Sequence, residues 1–194
     1  MAVTERIQEE AKVNLVEPRF ERIGGVEYAM SSPGYRRQIA AGRIFGQLDA
    51  QLSRYGCMPI LAPFDVYPLY GQGDGDTLVQ PDIFTVCDRS KLRENRYDGA
   101  PRFIVEILSS NRSYDMVTKL NLYQKAGVAE YWMVDPEEKI VSVLELANGV
   151  YLYHSYTGEM EVPLVSVPGC AVDFGKVFAD ALGTYATASS VTGS

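Results

Sequence analysis

The stretch GAPRFIVEILSSNRSYDMVTKLNLYQKAGVAEYWMVDP, Gly99–Pro136, carries the pattern that decides the fold. Within it, Arg102 to Leu108 (RFIVEIL) is apolar on both faces, which marks a strand covered on both sides and central to a sheet. Ser109, Ser110, Asn111 and Ser113 then offer caps for a helix from Tyr114 to Ala126, and Gly127 is suited to end it in the left-handed conformation. Glu130 to Asp135 (EYWMVD) returns as a strand, closed by Pro136, which cannot continue a ladder. A strand, helix and strand of these lengths call for a right-handed crossover and parallel pairing.

Upstream, Ile39, Ile44, Phe45, Leu48 and Leu52 recur near a 3.6-residue period and describe an amphipathic helix from Tyr35 that ends before Gly56. Two apolar runs, Pro59 to Leu69 and Leu78 to Cys87, read as a hairpin with a long glycine-rich loop, and Asp88 to Ala100 reads as polar loop. The core order is therefore helix, three strands, helix, strand. Downstream, Ile140 to Leu146 and Val150 to Tyr156 flank Asn148-Gly149, a strong hairpin signal, and should extend the sheet or build a dimer edge. Shorter pieces are a polar helix at Thr4 to Val13, an extended segment at Val26 to Ser32 and a last helix near Phe174 to Leu182. The expected layout is an N-terminal extension over 1–24, one domain over 25–182 and a tail over 183–194. At 194 residues, 46% apolar and 11% aromatic, the chain has the surface for one buried core.

A net charge of −7 argues against coating nucleic acid by bulk electrostatics, which draws on many phosphate–cation contacts. Two segments are locally basic: Arg36, Arg37, Arg43 and Arg54 stand against Asp49, and Arg89, Lys91, Arg93, Arg96 and Arg102 outnumber Asp88, Glu94 and Asp98. No stretch approaches the roughly 20 apolar residues that span a bilayer, and the charged start MAVTERIQEEAKVN lacks the apolar core of a signal peptide, so a cytoplasmic location is expected. Cys57, Cys87 and Cys170 are odd in number and far apart, and are expected to be buried free thiols.

Glu106 is the most informative residue, because a carboxylate among Ile104, Val105, Ile107 and Leu108 is costly unless paired. Asp82 lies in a second apolar run, VQPDIFTV, and on neighbouring strands the two acids can converge on one cation. Few, all-oxygen ligands suit Mg²⁺, with Mn²⁺ as a substitute. The plain alternatives are a Pro-Asp turn for Asp82 and an ion pair with Arg102 for Glu106. Asp115, Lys119 and Tyr123 share one face of the second helix, which also fits a surface ion pair. Asp65 either joins the acids or faces water. His154 reads as a surface or interface residue, and Tyr131 and Trp132 read as core.

With these residues in view, VQPDIFTV, GAPRFIVEILSSNRSYD and TKLNLYQKAGVAEYWMVDPEEK resemble the Uma-type family of restriction endonucleases, a bacterial branch of the PD-(D/E)XK nuclease superfamily. The resemblance runs from about Gly25 to Phe178. It implies an α/β (α+β) restriction-endonuclease-like core with a mixed sheet and a C-terminal hairpin extension, and Mg²⁺-dependent hydrolysis of nucleic-acid phosphodiesters, DNA first and RNA second. Asp82 and Glu106 would hold the metal. The lysine usual two residues after the Glu is Leu108 here, and its role passes to Lys119, with Asp115 beside it. Arg37 stands where relatives often have a histidine and, with Arg93, is expected to contact nucleic acid. A homodimer is the expected assembly. The rival expectations are an inactive nucleic-acid-binding or regulatory protein on this fold, and a homodimeric assembly protein.

Overall fold

The computed structural model describes residues 19–108 and 112–180, with the backbone alone for residues 112–115. In chain order the elements are β1 (Phe20–Ile23), β2 (Val26–Ala29), α1 (Tyr35–Leu52), β3 (Met58–Leu61), β4 (Asp65–Tyr67), β5 (Ile83–Val86), β6 (Arg96–Asp98), β7 (Phe103–Ile107), α2 (Arg112–Ala126), β8 (Glu130–Asp135), β9 (Ile140–Ala147), β10 (Val150–Thr157), β11 (Glu161–Pro163), β12 (Ala171–Asp173) and α3 (Phe174–Phe178). Every residue of β7 and β8 is buried, as the two-faced apolar pattern requires. The pair is parallel, with Val105 opposite Trp132 and Glu106 opposite Met133. Around it the mixed sheet runs β10-β9-β8-β7-β5-β3, all other neighbours being antiparallel.

Side chains alternate across this sheet, so its two faces nucleate two cores. On one face Val105, Trp132 and Val143 meet Ile44, Leu48 and Leu52 of α1, Val172 of β12 and Phe174 of α3. On the other, Ile104, Tyr131 and Met133 meet Leu122, Tyr123 and Ala126 of α2 and Tyr97 of β6. The sheet is thus covered on both sides, with α1 and α2 on opposite faces. Asn148 and Gly149 take positive φ, 52° and 82°, the geometry of the tight turn that joins β9 to β10.

Some expectations change. The run Pro59 to Leu69 is not one hairpin arm: it breaks at Pro63, and β4 leaves the main sheet to pair with β6, in parallel, inside the segment expected to be loop. The β11–β12 pair has no counterpart in the sequence reading. The last helix ends at Phe178. Cys57 and Cys87 are joined in a disulfide, which overturns the expectation of free thiols. The register that sets Met58 opposite Val86 brings the next pair together, and no spacing in the sequence reveals that. Cys170 remains free and buried. The expected helix at Thr4 to Val13 lies outside the described residues. No helix among the described residues is long and apolar enough to cross a membrane.

Trp132 ties the layers together. Its ring lies 5.0 Å from Phe103 and 5.9 Å from Phe174, and its Nε1 donates to Glu130 Oε1 at 2.7 Å. Glu130 also accepts the Val165 and Ser166 N–H groups. Trp132→Ala should therefore cost about 3–5 kcal/mol in urea unfolding; a loss under about 1 kcal/mol would contradict this packing.

Candidate active site

The strands β5 and β7 pair only through Ile83 with Val105 and Phe84 with Ile104. Beyond them Pro81 has no N–H to continue the ladder, and the strands diverge. Asp82 turns its carboxylate into the gap, where Oδ2 accepts the Ile107 N–H at 2.8 Å. From the first turn of α1, Arg37 closes on the same group: Nε lies 3.0 Å from each Asp82 oxygen and Nη2 lies 2.8 Å from Oδ2.

One residue further across the gap, Glu106 points to the α2 face of the sheet. Its Oε1 accepts from Lys119 Nζ at 2.9 Å and from the Tyr123 hydroxyl at 2.8 Å. Lys119 also pairs with Glu21 Oε1 at 3.0 Å. Glu21 reaches this point because Arg22 of β1 exchanges backbone hydrogen bonds with Leu78 at 2.7 and 2.8 Å; its Oε1 takes the Gln80 N–H as well.

Glu21, Asp82, Glu106 and Lys119 are each no more than 8% exposed. Among the described residues, three carboxylates thus face two cations, Arg37 and Lys119, so the cluster carries one negative charge in excess when all of them are ionised. Burial pushes the Glu106 carboxyl up to about 7; Lys119 opposes the rise and the Asp82 and Glu21 charges add to it. Burial by itself would favour the neutral amine of Lys119, but Glu106 and Glu21 outweigh it and hold the group cationic, above its ordinary value. The Tyr123 hydroxyl is pushed well up by burial and by the Glu106 charge beside it, so it stays a donor.

A family model described as "Putative restriction endonuclease" matches residues 10–175. The chain belongs to the Uma2 family. A crystal structure of a "putative nuclease belonging to DUF820" from Anabaena variabilis is similar to it, with a TM-score of 0.69 and 21% identity over 89% of this chain and 96% of that one. At that identity the likeness is one of fold. None of the curated proteins matches the sequence.

In this Uma2 chain the structure brings together Asp82, Glu106, Lys119 and Arg37. Glu106 pairs with Lys119 and not with Arg102, and Leu108 supplies no cation. Arg93 makes none of these contacts: its Nε lies 3.2 Å from Asp98, and its Nη1 donates to the Ser90 and Leu92 carbonyls. Asp65 accepts from Gln80, and His154 is exposed on β10. The side chain of Asp115 lies outside the described residues. Sequence reasoning misses Glu21, which it sets in the N-terminal extension. The signal for it is Gly24-Gly25 between Ile23 and Val26, a hairpin turn with both glycines at positive φ.

Among the described residues, no three His, Cys, Asp or Glu side chains form a metal-ligating group. Mg²⁺ asks for less, since it is bound through one or two carboxylates and keeps waters or substrate phosphate in its other positions. A buried cluster of Asp82, Glu106 and Glu21 with one carboxylate more than the described cations fits such a cation.

Because the folded-state pKa of Glu106 is raised from 4.5 to about 7, the protonated carboxyl favours the fold, and its contribution is lost as pH rises through about 7. Urea unfolding of the metal-free protein should show stability falling between those pH values, and Glu106→Gln should flatten that fall. A steeper fall in the variant would place the titration elsewhere.

Proposed function

We propose that this chain is a Mg²⁺-dependent endonuclease that hydrolyses nucleic-acid phosphodiesters, DNA in the first place. The observation that carries the reading is a buried cluster in which the carboxylates of Glu21, Asp82 and Glu106 outnumber the described cations Arg37 and Lys119, with Lys119 locked between Glu106 and Glu21. Asp82 and Glu106 are the residues that would hold Mg²⁺, or Mn²⁺ in its place. When bound, the cation lowers the pKa of the attacking water and neutralises charge on the departing oxygen.

The protein's own groups do the rest. Lys119, kept cationic by Glu106 and Glu21, stabilises the charge that grows on the phosphoryl oxygens or orients the water. Tyr123 and Lys119 both bond Glu106 Oε1, which fixes the carboxylate and leaves Oε2 free of both for the metal. Glu21 holds Lys119 from its other side and acts as a positioning residue. Asp115 is assigned the same supporting role as Glu21. Substrate contact is assigned to Arg37 at the site and to Arg93, whose side chain is half exposed. For the homodimer we propose the edge of the main sheet at β10, which pairs on one side only among the described residues and where Val150, Leu152 and Tyr153 are exposed.

The test is nicking of supercoiled plasmid by scrupulously purified protein with Mg²⁺ or Mn²⁺. Wild type should cleave, Asp82→Ala and Glu106→Ala should be inactive, and Lys119→Met should fall by about 10²–10³ when assayed at a temperature where circular dichroism shows it folded. Lys119→Met cleaving at the wild-type rate would remove the lysine from the chemistry. Wild type inert on DNA and RNA with either metal would contradict the function.

A further inference from the structure

Arg37 and a divalent cation compete for one carboxylate. The guanidinium spans both oxygens of Asp82 through Nε and adds Nη2 to Oδ2, which already takes the Ile107 N–H. Oδ2 thus meets three donors, more than its two lone-pair sites, whereas Oδ1 takes Nε. A cation brought to Asp82 would lie against a like charge in a site where water screens little. As long as Arg37 stays, a metal is left Oδ1, beside the guanidinium charge, and its binding at Asp82 is weakened.

The guanidinium has somewhere else to go. A cavity of about 450 Å³ opens beside it, lined by Ser31, Ser32, Arg36, Arg37, Leu108 and Glu137. The first turn of α1 borders this cavity and carries no acidic residue and no side-chain cap at Gly34. Leu108 directly follows β7, so the cavity adjoins the end of the strand that carries Glu106. A guanidinium fork matches phosphate as well as it matches carboxylate.

We infer that Arg37 makes cation binding conditional on a phosphate: it closes Asp82 in the free protein, and a nucleic-acid phosphate in the adjoining cavity draws it off and opens Asp82 to the metal. This inference rests on the metallonuclease reading. It assigns Arg37 a regulatory role that a neutral histidine at the same position would not play, because only a permanent cation competes with the metal at every pH. Coupling of this kind is reciprocal, so the metal must tighten phosphate binding by the same factor that phosphate tightens metal binding.

The experiment is calorimetric titration of Mn²⁺, at fixed ionic strength, into wild type, Arg37→Gln, Arg37→Lys and Asp82→Asn. Each is titrated with and without a short DNA duplex whose phosphorothioate backbone resists cleavage. Wild type alone should bind Mn²⁺ weakly and gain about tenfold or more with the duplex. Arg37→Gln alone should bind about tenfold tighter than wild type and gain little from the duplex. Arg37→Lys, with one ammonium in place of the fork, should fall between them and decides the matter if Arg37→Gln does not fold. If Asp82→Asn loses the metal while neither Arg37 variant binds it more tightly than wild type, the metal site stands and the gating is wrong. If Asp82→Asn binds Mn²⁺ as wild type does, the metal reading falls and the gating falls with it.

Discussion

The strands β5 and β7 diverge next to Ile83, and around that gap the protein buries carboxylates that, among the described residues, outnumber their cations. An unpaired charge in such a place costs several kcal/mol, so each acid constrains the element that brings its partner. Glu106 requires α2 to lie across the end of β7, which the parallel β7–β8 crossover achieves. Lys119 has further N–H donors to place, and the β1–β2 hairpin is stitched to Leu78 so that Glu21 accepts one of them. Asp82 requires a cation from the opposite layer, and α1 provides Arg37. Helices on both faces and a short N-terminal strand therefore converge on one point at the sheet's end.

The position of the lysine follows from this geometry. An ammonium can reach Glu106 from the same strand, two residues on, or from above. This chain places apolar Leu108 on the strand and sends Lys119 down from α2, at 2.9 Å. The helix offers more support than the strand could, because Tyr123, one turn further along α2, bonds the same oxygen of Glu106. Two donors on one face of one helix thereby fix the carboxylate.

What the sequence discloses and what it hides separate along the range of the interactions. The β7–α2–β8 unit is legible because its signals are local: a two-faced apolar run, a helix stop at Gly127 and Pro136 after β8. Asn148-Gly149 discloses the β9–β10 hairpin for the same reason. Asp82, Glu106 and Lys119 are legible because carboxylates in apolar runs need a partner, and the resemblance narrows which one. Glu21 is not, since its burial is decided by a bridge between Arg22 and Leu78 that no periodicity encodes. The Cys57–Cys87 disulfide depends on a cross-strand register in the same way. The break of the first hairpin arm at Pro63 has a visible signal, but an ambiguous one, because a proline in a strand fits an edge as well as an exit to a second sheet.

The site as described requires that the buried acids where β5 and β7 diverge hold a divalent cation. Anomalous diffraction from a crystal of the protein grown with Mn²⁺ and a cleavage-resistant duplex tests it most directly. The expected result is a Mn²⁺ peak shared by Asp82 and Glu106, with Lys119 still on Glu106 and the Arg37 guanidinium turned to a phosphate. A duplex-bound crystal with Mn²⁺ elsewhere and Arg37 still closed on Asp82 would contradict it.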